Sequence, residues 1–131
     1  VKPIDYFSFR KKIERAIEKV EKKKRPTITI RIKSEFMRLQ TNDIYYIESD
    51  RHNLIYVTKK GVYISRASMQ QAEESLVEYG FFRSNKSYLV NLQYIEGVKD
   101  GCCIINGTNL LISRARKSDF MVAMTNYMSE R

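Results

Sequence analysis

Histidine, cysteine and long apolar runs are all scarce in this sequence, and each shortage removes a class of function. The 131 residues hold one histidine, His52, and two cysteines, Cys102 and Cys103, which are adjacent. Neighbouring residues on a strand point to opposite faces. The two thiols therefore make a poor disulfide pair and a poor metal pair, and a single histidine is too few to complete a zinc site with them. The expectation is a chain with no metal and no cofactor, and two structural thiols that behave as small hydrophobes in a reducing, cytoplasmic compartment. No stretch approaches the roughly 20 apolar residues of a membrane span, and there is no secretory apolar core. A glycine-rich phosphate loop, a His-Glu-x-x-His pair and a Gly-x-Ser-x-Gly elbow are all absent. Asp43, Glu48 and Asp50 cluster in sequence but read as solvated carboxylates beside a strand. Nothing near Cys102 or Cys103 lowers a thiol pKa, so a nucleophile served by His52 has no support. An enzyme is not expected.

What is abundant is positive charge. The net charge is +9 with a sequence pI near 9.6, which favours an anionic partner such as nucleic acid or an acidic membrane surface. The charge is unevenly spread. Residues 1–25 hold ten lysines and arginines against four acids, and residues 26–131 hold fourteen against eleven. The body is thus only weakly basic, and an anion site on it must come from local clustering.

The chain begins Val1-Lys2-Pro3, which reads as a cut from a longer protein. Asp5 is a helix N-cap candidate, and Phe9, Ile13, Ala16, Ile17 and Val20 follow at helical spacing among lysines and arginines. This narrow stripe belongs to a helix that packs on a partner or projects as a linker. Lys22-Lys23-Lys24-Arg25 runs into Pro26, a boundary. The run reads as a solvated linker face or as a source of non-specific phosphate contacts. After Pro26 the period changes to two. Thr27–Lys33, Phe36–Gln40, Asp43–Glu48, Asn53–Thr58 and Val62–Ser65 read as strands, with a tight turn at Lys60-Gly61. Ser68 to Gln71 is a capping box opening a helix with Met69, Ala72, Leu76 and Tyr79 on one face, stopped by Gly80. Asp100-Gly101 and Asn106-Gly107 mark a three-stranded meander over residues 95–113. A last helix starts near Arg114 or Ser118 and runs to Met128, with Phe120, Met124, Tyr127 and Met128 inward. The body is mostly β, with short strands and no internal repeat.

Three polar clusters sit at strand ends. They are Arg51-His52-Asn53 (after Asp50), Arg83-Ser84-Asn85-Lys86-Ser87, and Arg114-Ala115-Arg116-Lys117. Arginine and lysine suit guanine O6 and N7, asparagine suits adenine, and serine hydroxyls and backbone amides suit phosphates. If Ser113 caps the last helix, Arg114, Arg116 and Lys117 crowd its positive end, a conflict that a bound phosphate would relieve. A helix beginning later, near Ser118, removes the conflict and leaves the arginines in a loop.

The stretch Phe82-Arg83-Ser84-Asn85-Lys86-Ser87-Tyr88-Leu89-Val90-Asn91, followed by Ile95, resembles the LytTR-type DNA-binding domain of bacterial response regulators. Asp43-Ile44-Tyr45-Tyr46-Ile47-Glu48-Ser49 is similar to that family's early strand, and Ile112-Ser113-Arg114 to its late turn into the C-terminal helix. The match covers about residues 27–130 in the family's order. It implies an elongated arrangement of small antiparallel β-sheets with short covering helices, preceded here by an N-terminal linker helix. It also implies sequence-specific binding to double-stranded promoter DNA at direct repeats, with loops in adjacent major grooves and self-association on the DNA. By resemblance, base contacts fall on His52 or Asn53, on Arg83 and Lys86, and on Arg114 or Arg116, while Ser87 contacts phosphate. Asn85 stands where the family commonly has histidine. Residues 1–25 are expected to be the end of a receiver domain plus a basic linker helix, and residues 26–131 the DNA-binding domain. The partners implied are an upstream receiver domain and a sensor kinase, without a membrane.

Two other classes compete. An RNA-binding β module would use the nine tyrosines and six phenylalanines as stacking platforms, although most alternate with apolar residues as core residues do. A dimerisation or interaction module would use the Phe9–Val20 stripe.

Overall fold

The structure, a computed structural model, describes residues 26–129. The expected N-terminal helix and basic linker lie outside the described residues. The described chain is mostly β, in three small antiparallel sheets with two short helices.

Strands β1 (Thr27–Ile32) and β2 (Glu35–Gln40) form a two-stranded sheet. A 3-10 turn over Thr41–Asp43 leads to β3 (Ile44–Asp50), β4 (Asn53–Thr58) and β5 (Gly61–Arg66). Helix α1 (Met69–Leu76) and a 3-10 turn at Val77–Tyr79 precede β6 (Phe81–Asn85) and β7 (Tyr88–Asn91). These five strands make one sheet in the order β5-β4-β3-β7-β6. After a 3-10 turn at Leu92–Tyr94, β8 (Ile95–Lys99), β9 (Cys102–Ile105) and β10 (Thr108–Leu111) form the expected meander. Asp100-Gly101 and Asn106-Gly107 have positive φ at both residues (52°, 77°, 50° and 79°), the type I′ geometry that those dipeptides favour because it matches strand twist. Helix α2 (Lys117–Ser129) closes the described chain.

The five-stranded sheet has a core on each face because its strands alternate. Ile47, Leu54, Tyr56, Phe81 and Leu89 point to one face, where α1 covers them with Met69, Ala72 and Leu76, and β1–β2 adds Ile30 and Leu39. The opposite face presents Val90, Phe82, Tyr88 and Tyr46 to the meander and α2, with Cys103, Ile105, Leu110, Ile112 and Phe120 filling the second core. Most of the aromatics are in or against these cores, but Phe36, on β2, is 70% exposed. Phe82 and Phe120 meet at a tilt of 58° with centroids 5.9 Å apart, and Tyr46 meets Tyr88 edge-on at 6.0 Å.

Several local expectations hold. The Ser68 hydroxyl accepts from the Gln71 amide at 3.1 Å as an N-cap, and Gly80 ends the segment at φ 88°. Cys102 and Cys103 are free thiols on opposite faces, Cys103 fully buried and Cys102 partly so. Two expectations need correction. Tyr79 lies on a 3-10 turn and is 38% exposed, because α1 tightens after Leu76. Met128 is 64% exposed, because Phe120, Ala123, Met124 and Tyr127 complete the inward stripe.

Candidate nucleic-acid interface

The strand register sets where the polar clusters fall. Asp50 pairs with Asn53, closing the β3–β4 hairpin with Arg51 and His52 at its tip. Asn85 pairs with Tyr88, closing the β6–β7 hairpin with Lys86 and Ser87 at its tip. β3 and β7 are neighbours with Glu48 opposite Tyr88, and the Ser49 amide donates to the Ser87 carbonyl at 2.8 Å. Both tips therefore lie on one edge of the five-stranded sheet. The third cluster joins them through β6. The Ser113 amide donates to the Ser84 carbonyl at 2.8 Å, so the chain leaving β10 runs beside the end of β6.

The five polar residues Arg83–Ser87 do not form a loop. They are the last three residues of β6 and a two-residue turn. Ser84 is fully buried, and its hydroxyl donates to the Leu111 carbonyl at 3.0 Å. The Asn85 side chain is also turned inward. Its amide nitrogen donates to the same carbonyl at 2.8 Å, and its oxygen accepts from the Ser87 and Tyr88 amides at 2.7 and 3.1 Å. That is an asparagine turn, in which the side chain fixes the tip by bonding the backbone two and three residues on. Together Ser84 and Asn85 bind the second cluster to the third.

Arg83 is similarly engaged. Its side chain is 17% exposed, on the α1 face, with Nε 3.9 Å from a Glu73 carboxylate oxygen. Its Nη2 donates to the Lys86 carbonyl at 3.5 Å, while Nε has no hydrogen-bond partner among the described residues. The Glu73 contact is a long-range ion pair rather than a hydrogen bond.

The other cations face solvent. Arg51, Lys86, Arg114 and Lys117 are exposed and Arg116 half-buried, and among the described residues none forms an ion pair. His52 and Asn53 are exposed. The Ser87 hydroxyl has no partner among the described residues, although both its backbone groups are bonded. Arg51 has φ 61°, a left-handed conformation rare for a residue with a Cβ. Lys33 does the same at the β1–β2 tip, so the strain belongs to turn geometry and does not mark a site.

The start of α2 resolves the crowding of cations there. The first helical bond runs from the Phe120 amide to the Arg116 carbonyl, and the Arg116 amide is taken by Ser113. Arg114 to Arg116 thus precede the helix as a turn. Only Lys117 lies in its first turn, with Asp119 there as the favourable acid. Between the second and third clusters, Asn85, Lys86, Ser87, Leu111, Ser113 and Arg116 line an open depression of about 430 Å³.

Sequence reasoning passed over Arg66. It pairs with Asn53 across β4–β5, is exposed, and so joins the same edge beside the first tip. The signal was present: counting back from the Lys60-Gly61 turn puts Asn53 opposite Arg66. It also passed over Glu73, which became visible only when α1 packed over β6.

Neighbouring strands lie about 4.8 Å apart. Two strand spacings separate the first two tips, and the third cluster lies beyond β6. The edge therefore carries its cations over roughly 15–20 Å, on backbone positions fixed by a sheet. Fold and site together define a small β module that holds cationic side chains along one rim, all but Arg83 without an ion pair among the described residues.

The chain belongs to the LytTr DNA-binding domain family, whose model matches residues 34–125. It is similar in structure to a LytTr DNA-binding domain from Bacillus cereus, belonging to a protein described as a methyl-accepting/DNA response regulator. The two superpose with a TM-score of 0.64 at 17% identity, over 77% of this chain and 98% of that one. At that identity the likeness concerns the fold. A search of curated proteins found no match. The family is a DNA-binding one, not a catalytic one. Among the described residues there is no cluster of ligands suited to a metal and no helix long and apolar enough to cross a membrane.

Proposed function

We propose that this chain binds double-stranded promoter DNA sequence-specifically through the rim described above, as the effector part of a cytoplasmic two-component response regulator. The observation that carries the reading is the joining of the three clusters. The Ser49–Ser87 bond and the Ser84, Asn85 and Ser113 bonds to the β6 and β10 ends fasten them to one edge. A rim of about 15–20 Å is wider than one major groove of about 12 Å, so it would meet a groove together with flanking phosphates. Arg51 at one end and Arg116 at the other extend that reach toward adjacent grooves.

Within this reading the residues divide by engagement. Lys86, Arg116 or Arg114, and His52 or Asn53 are the base-reading candidates, since their polar groups are not used internally. Arg51, Arg66, Lys117 and the Ser87 hydroxyl suit phosphate. Asn85 and Arg83 hold the second tip in shape. Direct-repeat recognition, self-association on DNA and control by an upstream receiver domain and sensor kinase follow from the family's habit.

Selection of bound sequences from a random duplex library tests the proposal. A recovered motif repeated in direct orientation at about one helical turn, 10–10.5 base pairs, is the expected result. Recovery of no motif, together with tight binding to single-stranded RNA, would refute it.

A further inference from the structure

The three clusters leave one cationic part of the domain without a role. Residues 26–131 hold fourteen lysines and arginines against eleven acids, a net of +3. Of that, +2 falls on residues 27–40, which hold Arg31, Lys33 and Arg38 against Glu35. This stretch is the β1–β2 ribbon. Ile28, Ile30, Ile32 and Leu39 point into the core beneath it. Alternation sets Thr29, Arg31, Phe36 and Arg38 on its outer face, with Arg31 opposite Phe36 and Thr29 opposite Arg38. All four are exposed, Phe36 more than any other large apolar side chain among the described residues. None of the three cations forms an ion pair among the described residues.

The Arg31 guanidinium carbon lies over the Phe36 ring, 5.7 Å from its centroid. Such a contact restrains an arginine without using any of its N–H donors. The ribbon thus presents one held guanidinium, with Arg38 two residues beyond Phe36 on the same face. That arrangement suits phosphate oxygens, which accept from arginine in pairs. The ribbon also ends beside the rim. The Thr41 amide donates to the Pro26 carbonyl at 2.9 Å, so β1 starts at the end of the sheet where β3 starts. From that end β5 runs to Arg66 on the rim. Thr29 to Arg31 and Ser65 to Ala67 line one groove of about 250 Å³, so β1 follows the direction of β5. Arg31 and the Lys33 turn therefore emerge at the rim end, one layer behind the sheet. Packed layers lie about 10 Å apart, or about three base pairs of duplex at roughly 3.4 Å each.

We infer that the outer face of the β1–β2 ribbon is a second DNA-contacting surface. Arg31, held by Phe36, and Arg38 take phosphates of the duplex that flanks the sequence met by the rim. The inference rests on the DNA reading and enlarges its footprint without adding a base contact. It gives most of the body's net charge a partner.

Salt-dependent binding of the full chain tests it on two duplexes. One is the selected motif alone, and the other extends it by about six base pairs on each side, twice the layer offset. On the extended duplex, Arg31→Gln/Arg38→Gln should lower the slope of log K against log salt by about 1.8, or about 0.9 per phosphate, with the motif unchanged. On the motif alone, variant and parent should share one slope. Phe36→Leu should weaken binding to the extended duplex by about two- to fivefold. Lys59→Gln/Lys60→Gln removes the same charge at the end of the sheet away from the rim and should keep the parental slope on both duplexes. All four cations and Phe36 are exposed, and a parental urea midpoint checks that each variant is folded. A parental slope for the arginine variant on the extended duplex, while Lys86→Ala still alters slope or motif, refutes the inference and leaves the DNA reading standing. An equal loss in the lysine variant refutes it too, because net charge then suffices. A difference that persists on the motif alone places the contact inside the motif and overturns the flanking assignment. If the parent selects no motif and binds no duplex, the DNA reading fails and the inference with it.

Discussion

Replacing Asn85 separates a residue that shapes the rim from one that reads DNA. Its side chain makes three hydrogen bonds, one donated to the Leu111 carbonyl and two accepted from the Ser87 and Tyr88 amides. Each such bond contributes on the order of 0.5–1.5 kcal/mol. The residue is half-buried, so water replaces part of the loss, and Asn85→Ala should destabilise the domain by about 1–3 kcal/mol. Asn85→Asp keeps both acceptors, cannot donate to Leu111, and sets a carboxylate against its carbonyl. It should cost at least as much. Urea unfolding supplies the stability, with an unchanged m-value as the sign that only stability has moved. The same proteins are then titrated with the selected duplex by fluorescence anisotropy over a range of salt. A shape-holding Asn85 gives weaker binding across all sequences, because the second and third clusters lose their common anchor, and an unchanged salt slope, because no phosphate contact is removed. A base-reading Asn85 gives near-parental stability and relaxed preference at one base pair, worth about 1–3 kcal/mol there. That second pattern would refute the reasoning.

The remaining expectations concern single groups. Lys86→Ala should either relax one base position, as a reader, or lower the slope of log K against log salt by about 0.9, as a phosphate contact; an unchanged slope and motif would remove it from the interface. Arg66→Ala should lower that slope in the same way without altering the motif. Burial pushes the Cys103 thiol up to about 11 from 9.0, so a disulfide reagent at pH 8 should titrate one thiol, Cys102, in the native chain and both in denaturant. Because the folded value is the raised one, Cys103 favours the fold fully below pH 9, and that contribution is lost as pH rises through about 11. A unit-by-unit alkaline titration of Tm with Cys103→Ala as reference checks the sign.

Much of the fold was legible because local chemistry and tertiary structure agree here. Asp-Gly and Asn-Gly impose positive φ wherever they fall, so the meander could be located from two dipeptides. Ser68 and Gln71 fix a helix start at fixed offsets, and alternating isoleucines declare a strand with one covered face. The limits of α1 and the outward turn of Met128 were not legible, since both depend on where the sheet beneath a helix ends. For the site, residue type and order identified three cation-bearing clusters and the family. They did not distinguish solvent-facing groups from engaged ones.

The sequence by itself determined that the body is β with short strands and that three cation-bearing clusters fall at or beside strand ends. Those properties follow from residue identity and spacing over a few positions. The tertiary structure alone decided that the three clusters share one rim, and that Asn85, Ser84 and Arg83 are used internally. The decisive contacts span long separations: Asn85 to Leu111 is 26 residues, and Asn91 to Thr41 is 50. Whether a polar side chain is free to meet a partner depends on which carbonyls and carboxylates the fold brings to it, and no local pattern encodes that.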